Sequence, residues 1–375
     1  MLSSKNSTRA DRDRQILDRA RAAPMAPRWV FTLQGWNNYV HEMVELPDLA
    51  ASHPPGTPVL SDDVRLRYHG HLRMVSHPLF DKALLKTSRL LLANGNRREG
   101  LLDRVIDGPP GTGKTFLLRV IGREFQRSVE DRQGGHENQI PVVHIAAPQD
   151  PENVANWVWE IADFLGLTPA PRDVEELLQV RRIPDLSQPV WRVMERSSTR
   201  LLLVDGLQRV HPDHLVPFLA YMEKLREELG ISTIFCGTGS RKILQAAQDR
   251  AVHTSEALQG LAERAPVITG DDGTKHPLLP QVSPSRLPVT WLDPVPLYSG
   301  DQETWPSILR GFEENLCLHR LSEHALVKEA KYLHARTGGY FKLLSQLICQ
   351  AAMAAIEIGS EDITRELLED IDIGG

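Results

Sequence analysis

Residues 108–115 read GPPGTGKT. Three glycines, a lysine and a hydroxyl residue stand at the spacing G-x-x-x-x-G-K-T, which suits a loop that turns backbone N–H groups toward phosphate oxygens. Gly108, Gly111 and Gly113 allow the tight turns, and Pro109, Pro110 and Thr112 fill the loop between them. Lys114 can reach the β- and γ-phosphates of a nucleotide such as ATP, and Thr115 can place its hydroxyl on Mg2+. With Phe116 immediately after, Gly108 through Phe116 are the candidate nucleotide contacts. Asp205 closes the apolar run LLLVD at 201–205. An acid there can hold Mg2+ through water, or it can simply cap the next turn. Many nucleotide-hydrolysing enzymes carry a second carboxylate at the following position, which here is Gly206. Thr238 and Ser240, in CGTGS, put hydroxyls at the end of another apolar run, where one could sense a γ-phosphate or orient water. A plain turn is the competing reading.

Such groups need strands that end together and a helix whose positive end faces the phosphates. The chain supplies the signals for both. LLDRVIDG (101–108) reads as a strand entering the glycine-rich loop, and FLLRVIGREFQRSV as the helix that leaves it. PVVHIAA (141–147), LLLVD and ISTIFCG (231–237) read as further strands. PENVANWVWEIADFLG is an expected helix with Gly166 as its stop, residues 174–197 one or two helices, and Pro212 to about Leu229 a long one. Strands separated by helical segments predict a mostly parallel sheet covered on both faces. Residues 250–288, dense in Gly, Pro and Asp toward their end, read as an insertion or loop, with VTWLDPVPL (289–297) as a fifth strand. The rest reads as helices only. Before the loop, residues 29–45 have roughly helical spacing, 47–63 read as a linker, and 64–92 as helices broken at Ser76–Pro78. Trp29 and Trp36 are either core residues or anchors at an interface.

Composition bounds the rest. The 375 residues, 41% hydrophobic and 25% charged, suit a soluble globular protein of two or three domains. No apolar run approaches a membrane span, and the polar N-terminus has no signal-peptide core, so a cytoplasmic protein is expected. Cys236, Cys317 and Cys349 are far apart and read as reduced core thiols. A net charge of −6 argues against non-specific nucleic-acid binding by the whole chain. The first 28 residues are nevertheless basic (Lys5, Arg9, Arg12, Arg14, Arg19, Arg21, Arg28), while the last stretch, SEDITRELLEDIDIGG, is acidic. The basic arm can touch phosphates or a partner, or remain a solvated terminus.

The order of these features resembles the AAA+ class of ATPases and, more narrowly, the TniB-type ATP-binding proteins of transposition systems. RLRYHGHLRMVSHPLF, GPPGTGKTFLLRVIG, PVVHIAAPQDPENVANWVWEIADFLGL, LLLVDGLQRV, LREELGISTIFCGTG and ARTGGYFKLLSQLICQAAMAAIEIGSEDITRELLE carry the likeness. It implies an α/β AAA+ P-loop NTPase core of parallel sheet and flanking helices at 64–300. A small all-helical lid at 301–375 and an N-terminal helical extension and linker at 1–63 complete that reading. It also implies a regulator that binds ATP and Mg2+, forms a homo-oligomer on double-stranded DNA, and recruits or activates a transposase subunit without cutting DNA itself. Nothing in it calls for a membrane.

Two departures bear on chemistry. The family pattern has Asp-Glu where this chain has Asp205-Gly206, and losing a general base of that kind costs about 10²–10⁴-fold in rate. Gln208 could orient water instead, with Glu223 and Glu227 as weaker candidates. The second departure is the family's trans-acting arginine before the last strand: Arg286 is nearest in place, with Arg264 and Arg250 as rivals. Lys342, in TGGYFK, stands near a nucleotide-sensing basic position or is a surface lysine. The loop starting PQDPEN would face a ring's channel by resemblance, yet it is acidic. Two other functions are compatible with the residues: a nucleotide-gated signalling or defence switch that does not bind DNA, and a non-hydrolysing ATP-binding scaffold.

Overall fold

The computed structural model describes residues 9–21, 29–43, 45–56, 63–70, 75, 77–97, 100–134, 138–168, 185–262, 268–269, 275–276, 287–298 and 304–374. Its helices are α1 (Arg9–Arg21), α2 (Leu33–His41), α3 (Val64–Gly70), α4 (Pro78–Asn94), α5 (Lys114–Gln133), α6 (Val154–Phe164), α7 (Ser187–Arg196), α8 (Pro212–Leu229), α9 (Ser240–Ala262), α10 (Thr304–Glu313), α11 (Ala325–Lys328), α12 (Ala330–Thr337), α13 (Phe341–Glu357) and α14 (Arg365–Asp370). Its strands are β1 (Arg104–Asp107), β2 (Val142–Ala146), β3 (Leu201–Asp205), β4 (Ser232–Cys236), β5 (Ile268–Thr269), β6 (Lys275–His276) and β7 (Val289–Trp291). The chain divides into two compact units. The first joins Met1–Ala93, Gly108–Glu137 and Trp291–Gly375, and the second joins Asn94–Asp107 and Asn138–Thr290.

The second unit holds the sheet. β1 to β4 are continuous runs of buried residues, as strands covered on both faces must be. β2 pairs with β3, β3 with β4 and β4 with β1, all parallel, with Val142 opposite Leu201, Leu201 opposite Ser232 and Arg104 opposite Ile234. The strand order is β2-β3-β4-β1-β7, so the five-stranded parallel sheet has β2 and β7 at its edges. Helix caps follow the residues that the sequence supplies. Asn153 accepts from Ala155 N at 2.9 Å to start α6, while Pro212 opens α8 and left-handed Gly230 closes it. Trp157 of α6 stacks on Phe218 of α8 with ring centroids 3.9 Å apart. The expectation of irregular chain from residue 250 is corrected at its start: α9 continues to Ala262, through VHTSEALQ, which lacks glycine and proline. β5 and β6 form a short antiparallel pair.

The first unit contains the helices of both chain ends and α5. α13 buries Leu344, Leu347, Ile348, Ala351, Ala352 and Ala355, a stripe at helical spacing that packs on α3. Arg65 of α3 is fully buried and pairs with Asp63 and Glu361, each at 2.8 Å. Glu361 belongs to the acidic C-terminal stretch and is internal rather than solvated. The basic N-terminal arm is likewise a packed helix: Arg19 pairs with Asp131 of α5, and Asp13 with Arg89 of α4. Trp36 is fully buried and donates from Nε1 to Gln126 Oε1 at 2.8 Å, so it is core, whereas Trp29 is 61% exposed. Arg123 of α5, also fully buried, donates to the carbonyls of Glu42 at 2.9 Å and of Tyr39 and Arg19 at 3.2 Å. Cys236 and Cys317 are buried, Cys349 is half-buried, and none of the three is in a disulfide. No described helix is long and apolar enough to cross a membrane.

Glu124, beside Arg123, is buried with neither carboxylate oxygen hydrogen-bonded. Burial pushes its carboxyl from 4.5 up to about 7, against the pull of nearby arginines. Between those values the folded chain holds more protons than the unfolded one, so stability falls as pH rises through this window and stays lower above it. Glu124→Gln is expected to raise the thermal midpoint at pH 8 and leave it nearly unchanged near pH 4, relieving up to about 3 kcal/mol at the higher pH. A difference of the same size at both pH values would contradict this.

Candidate nucleotide site

The candidate residues fall in both compact units. In the first, the chain leaves β1 at Gly108 and reaches α5 through two left-handed glycines, Gly111 (φ 81°) and Gly113 (φ 91°). Gly113 caps α5, whose first residue is Lys114, so a turn of backbone N–H groups feeds the positive end of a 20-residue helix. A Cβ on Gly113 would meet no atom within 4 Å beyond its chain neighbours. Lys114 is buried, and its Nζ donates to Pro109 O at 2.6 Å; Thr112 Oγ1 donates to the same carbonyl at 2.9 Å. The lysine is thus drawn in over its own loop. Pro110 is exposed at the tip, and Thr115 is half-buried in the first turn of α5. The Phe116 ring lies 5.8 Å from that of Phe80 and anchors α5 to α4.

The same loop touches the start of α13. Lys342 N donates to Gly111 O at 3.0 Å, and the Tyr340 ring packs against Gly111. A Cβ on Gly108 would stand 2.1 Å from Leu292 O. Three residues on, Val295 N donates to Gly339 O at 2.9 Å, and His334 Nε2 donates to Val295 O at 2.9 Å. The Lys342 side chain itself is exposed.

In the second unit, Asp205 is half-buried at the end of β3. Gly206 does not extend the strand: at φ 84°, ψ 23° it begins a 3-10 turn over Leu207–Arg209. A side chain at that position adopts a backbone conformation that costs an L-residue about 1–2 kcal/mol. The turn carries Gln208 across to the neighbouring strand end. A Cβ on Gly237 would fall 2.4 Å from Gln208 Oε1 and 2.8 Å from Ser240 Oγ, so only glycine leaves room for both. Ser240 is fully buried, and its Oγ has no hydrogen-bond partner. Thr238 is half-buried between Gly237 and Gly239. Asp205, Gln208 and Thr238 therefore share the carboxyl ends of two adjacent strands, the edge at which open α/β sheets bind ligands.

Several candidates lie elsewhere. Glu223 and Glu227 are exposed on α8, which runs back toward the amino ends of the strands: their neighbour Arg226 pairs with Asp103, just before β1. They sit about 16 and 22 Å along that helix from its start. Arg250 is on α9 and pairs with Asp213 of α8. Arg264 and Arg286 lie outside the described residues. The PQDPEN loop is bound to itself, with Asn156 Nδ2 donating to Asp150 O at 2.6 Å and Trp157 Nε1 to Pro151 O at 3.1 Å. Among the described residues, no cluster of three His, Cys, Asp or Glu side chains could hold a metal ion unaided. Two contacts escape a reading of the sequence: Tyr340 against Gly111, and Asp107, which binds backbone N–H groups 132 and 134 residues away.

An AAA domain model matches residues 104–243. No curated protein matches the chain. Among solved structures, it is similar to the Aeropyrum pernix ORC2 protein in its ADPNP–ADP complexes, at 14% identity and TM-score 0.50, over 78% of this chain and 66% of that one. The A. pernix ORC1 protein in complex with DNA gives 18% identity and TM-score 0.48, over 79% of this chain and 65% of that one. Domain III of the Thermotoga maritima replication initiation protein DnaA gives 16% and 0.44, over 83% and 96%. The chain thus spans just under two thirds of the length of these ORC chains. Residues 104–243 are thus similar to an AAA domain, and the fold is that of an AAA+ P-loop NTPase.

Proposed function

We propose that the chain binds ATP with Mg2+ and acts as a nucleotide-gated regulator of DNA transposition. In this reading it forms an ATP-dependent homo-oligomer on double-stranded DNA and recruits or activates a transposase subunit. The observation that carries nucleotide binding is the GPPGTGKT turn, with left-handed Gly111 and Gly113 opening directly onto α5. A phosphate oxygen bound in that turn would compete with Pro109 O for the Lys114 ammonium. Thr115 and Asp205 are the groups that would hold Mg2+, which when bound neutralises phosphate charge. Hydrolysis is slow, because glycine follows Asp205 and supplies no carboxylate; Gln208 and Thr238 are the groups left to orient water, and Arg286 is the arginine proposed to act in trans. The transposition role rests on the sequence likeness to TniB-type proteins.

The net charge of −6 favours the competing reading, a nucleotide-gated switch that does not bind DNA. Fluorescence anisotropy with duplex DNA separates the two. Binding is expected only with ATP, and at least about tenfold weaker at 200 mM than at 50 mM salt, because phosphate contacts release counterions. Intact nucleotide binding with no DNA binding at low salt would leave the switch reading.

A further inference from the structure

β1 is flanked by two buried carboxylates that look equivalent and bind different parts of the fold. Asp103, just before β1, accepts from Thr233 N at 2.8 Å and pairs with Arg226, which fixes the amino ends of β1 and β4. Asp107, the last residue of β1, is 1% exposed and accepts from Gly239 N at 2.7 Å and Arg241 N at 2.9 Å. Those two N–H groups belong to the turn after β4 and to the first turn of α9. Thr238 stands directly before Gly239, so its placement depends on the carboxylate. In the other direction Asp107 is peptide-bonded to Gly108, the first residue of the phosphate loop.

We infer that Asp107 is a positioning residue that ties the Thr238 turn to the root of the phosphate loop, so that the turn responds to a terminal phosphate. This rests on the nucleotide reading above. The chemistry requires both carboxylate oxygens. Each accepts one backbone N–H, whereas asparagine offers one oxygen and turns an N–H2 toward the second donor. One of the two buried N–H groups then loses its partner, and the turn loosens while the loop sequence stays intact. A buried acid needed only for stability would behave like Asp103.

The test compares Asp107→Asn with Asp103→Asn in the full chain. Dissociation constants for ADP and for a non-hydrolysable ATP analogue are measured with Mg2+, together with the thermal midpoint. Asp107→Asn is expected to weaken the analogue at least fivefold relative to ADP, with ADP affinity within twofold of the parent chain. Asp103→Asn is expected to lower the midpoint by as much or more and leave the analogue-to-ADP ratio unchanged. Thr238→Ala should reproduce the altered ratio, and Asp107→Asn added to it should change the ratio no further. If Asp107→Asn does not fold, Asp107→Glu makes the same comparison with both oxygens displaced by one methylene. A ratio within twofold of the parent in the Asp107 variant, or an equal change in Asp103→Asn, overturns the inference alone. A parent chain that binds neither nucleotide overturns the nucleotide reading as well.

Discussion

Lys114→Ala is expected to weaken ATP binding by roughly ten- to a hundredfold, the worth of one or two charge-assisted hydrogen bonds to phosphate. The ammonium is already desolvated, buried and held by Pro109 O. Exchanging that neutral carbonyl for a charged phosphate oxygen therefore gains attraction without a new burial cost. Alanine removes the charge and leaves the three loop glycines and the start of α5 in place. Titration with a fluorescent ATP analogue measures the loss, and circular dichroism checks that α5 persists. Affinity within threefold of the parent chain would mean that the loop does not bind phosphates through this lysine, and the proposed function would go with it.

Removal of residues 1–60 is expected to abolish folding rather than to detach an accessory arm. α2 buries Trp36, Tyr39 and Val40 completely against α5. Losing even one such aromatic side chain costs about 3–5 kcal/mol, against a total stability of about 5–15 kcal/mol. Arg123 would also lose three backbone acceptors, the carbonyls of Arg19, Tyr39 and Glu42. The deleted stretch also reaches the C-terminal helices, since Cys317 Sγ donates to Pro47 O at 3.3 Å. Soluble yield and nucleotide binding of the truncated chain measure the effect. A soluble truncation that still binds nucleotide would show that α5 does not need this cover.

The sheet was legible because parallel strands buried on both faces leave apolar runs such as Leu201–Val204, which ends on Asp205 at the ligand edge. The phosphate loop was legible because its chemistry is local. α8 was readable at both ends, from Pro212 at its first turn and Gly230 after its last. Long-range pairing left no such trace. The Arg65–Glu361 pair spans 296 residues, so nothing local in the acidic C-terminal stretch marks Glu361 as internal. Trp29 and Trp36 share one segment of mixed apolar and polar residues, yet Trp29 stands before Thr32, which starts α2, and is exposed, while Trp36 lies within α2 and is buried. Asp107 is visible in the sequence as an acid before the glycines, but its two partners are fixed by the crossover order of β1 and β4, which no local pattern records.

The contacts around Gly111 join two distant stretches of the chain. The Lys342 N–H that binds the Gly111 carbonyl lies in the first turn of α13, a run of 17 residues about 25 Å long. Just before it, Gly339 accepts from Val295 N and the Tyr340 ring lies against Gly111. A substitution in residues 339–342 therefore bears on the geometry of the phosphate loop as directly as one in the loop itself.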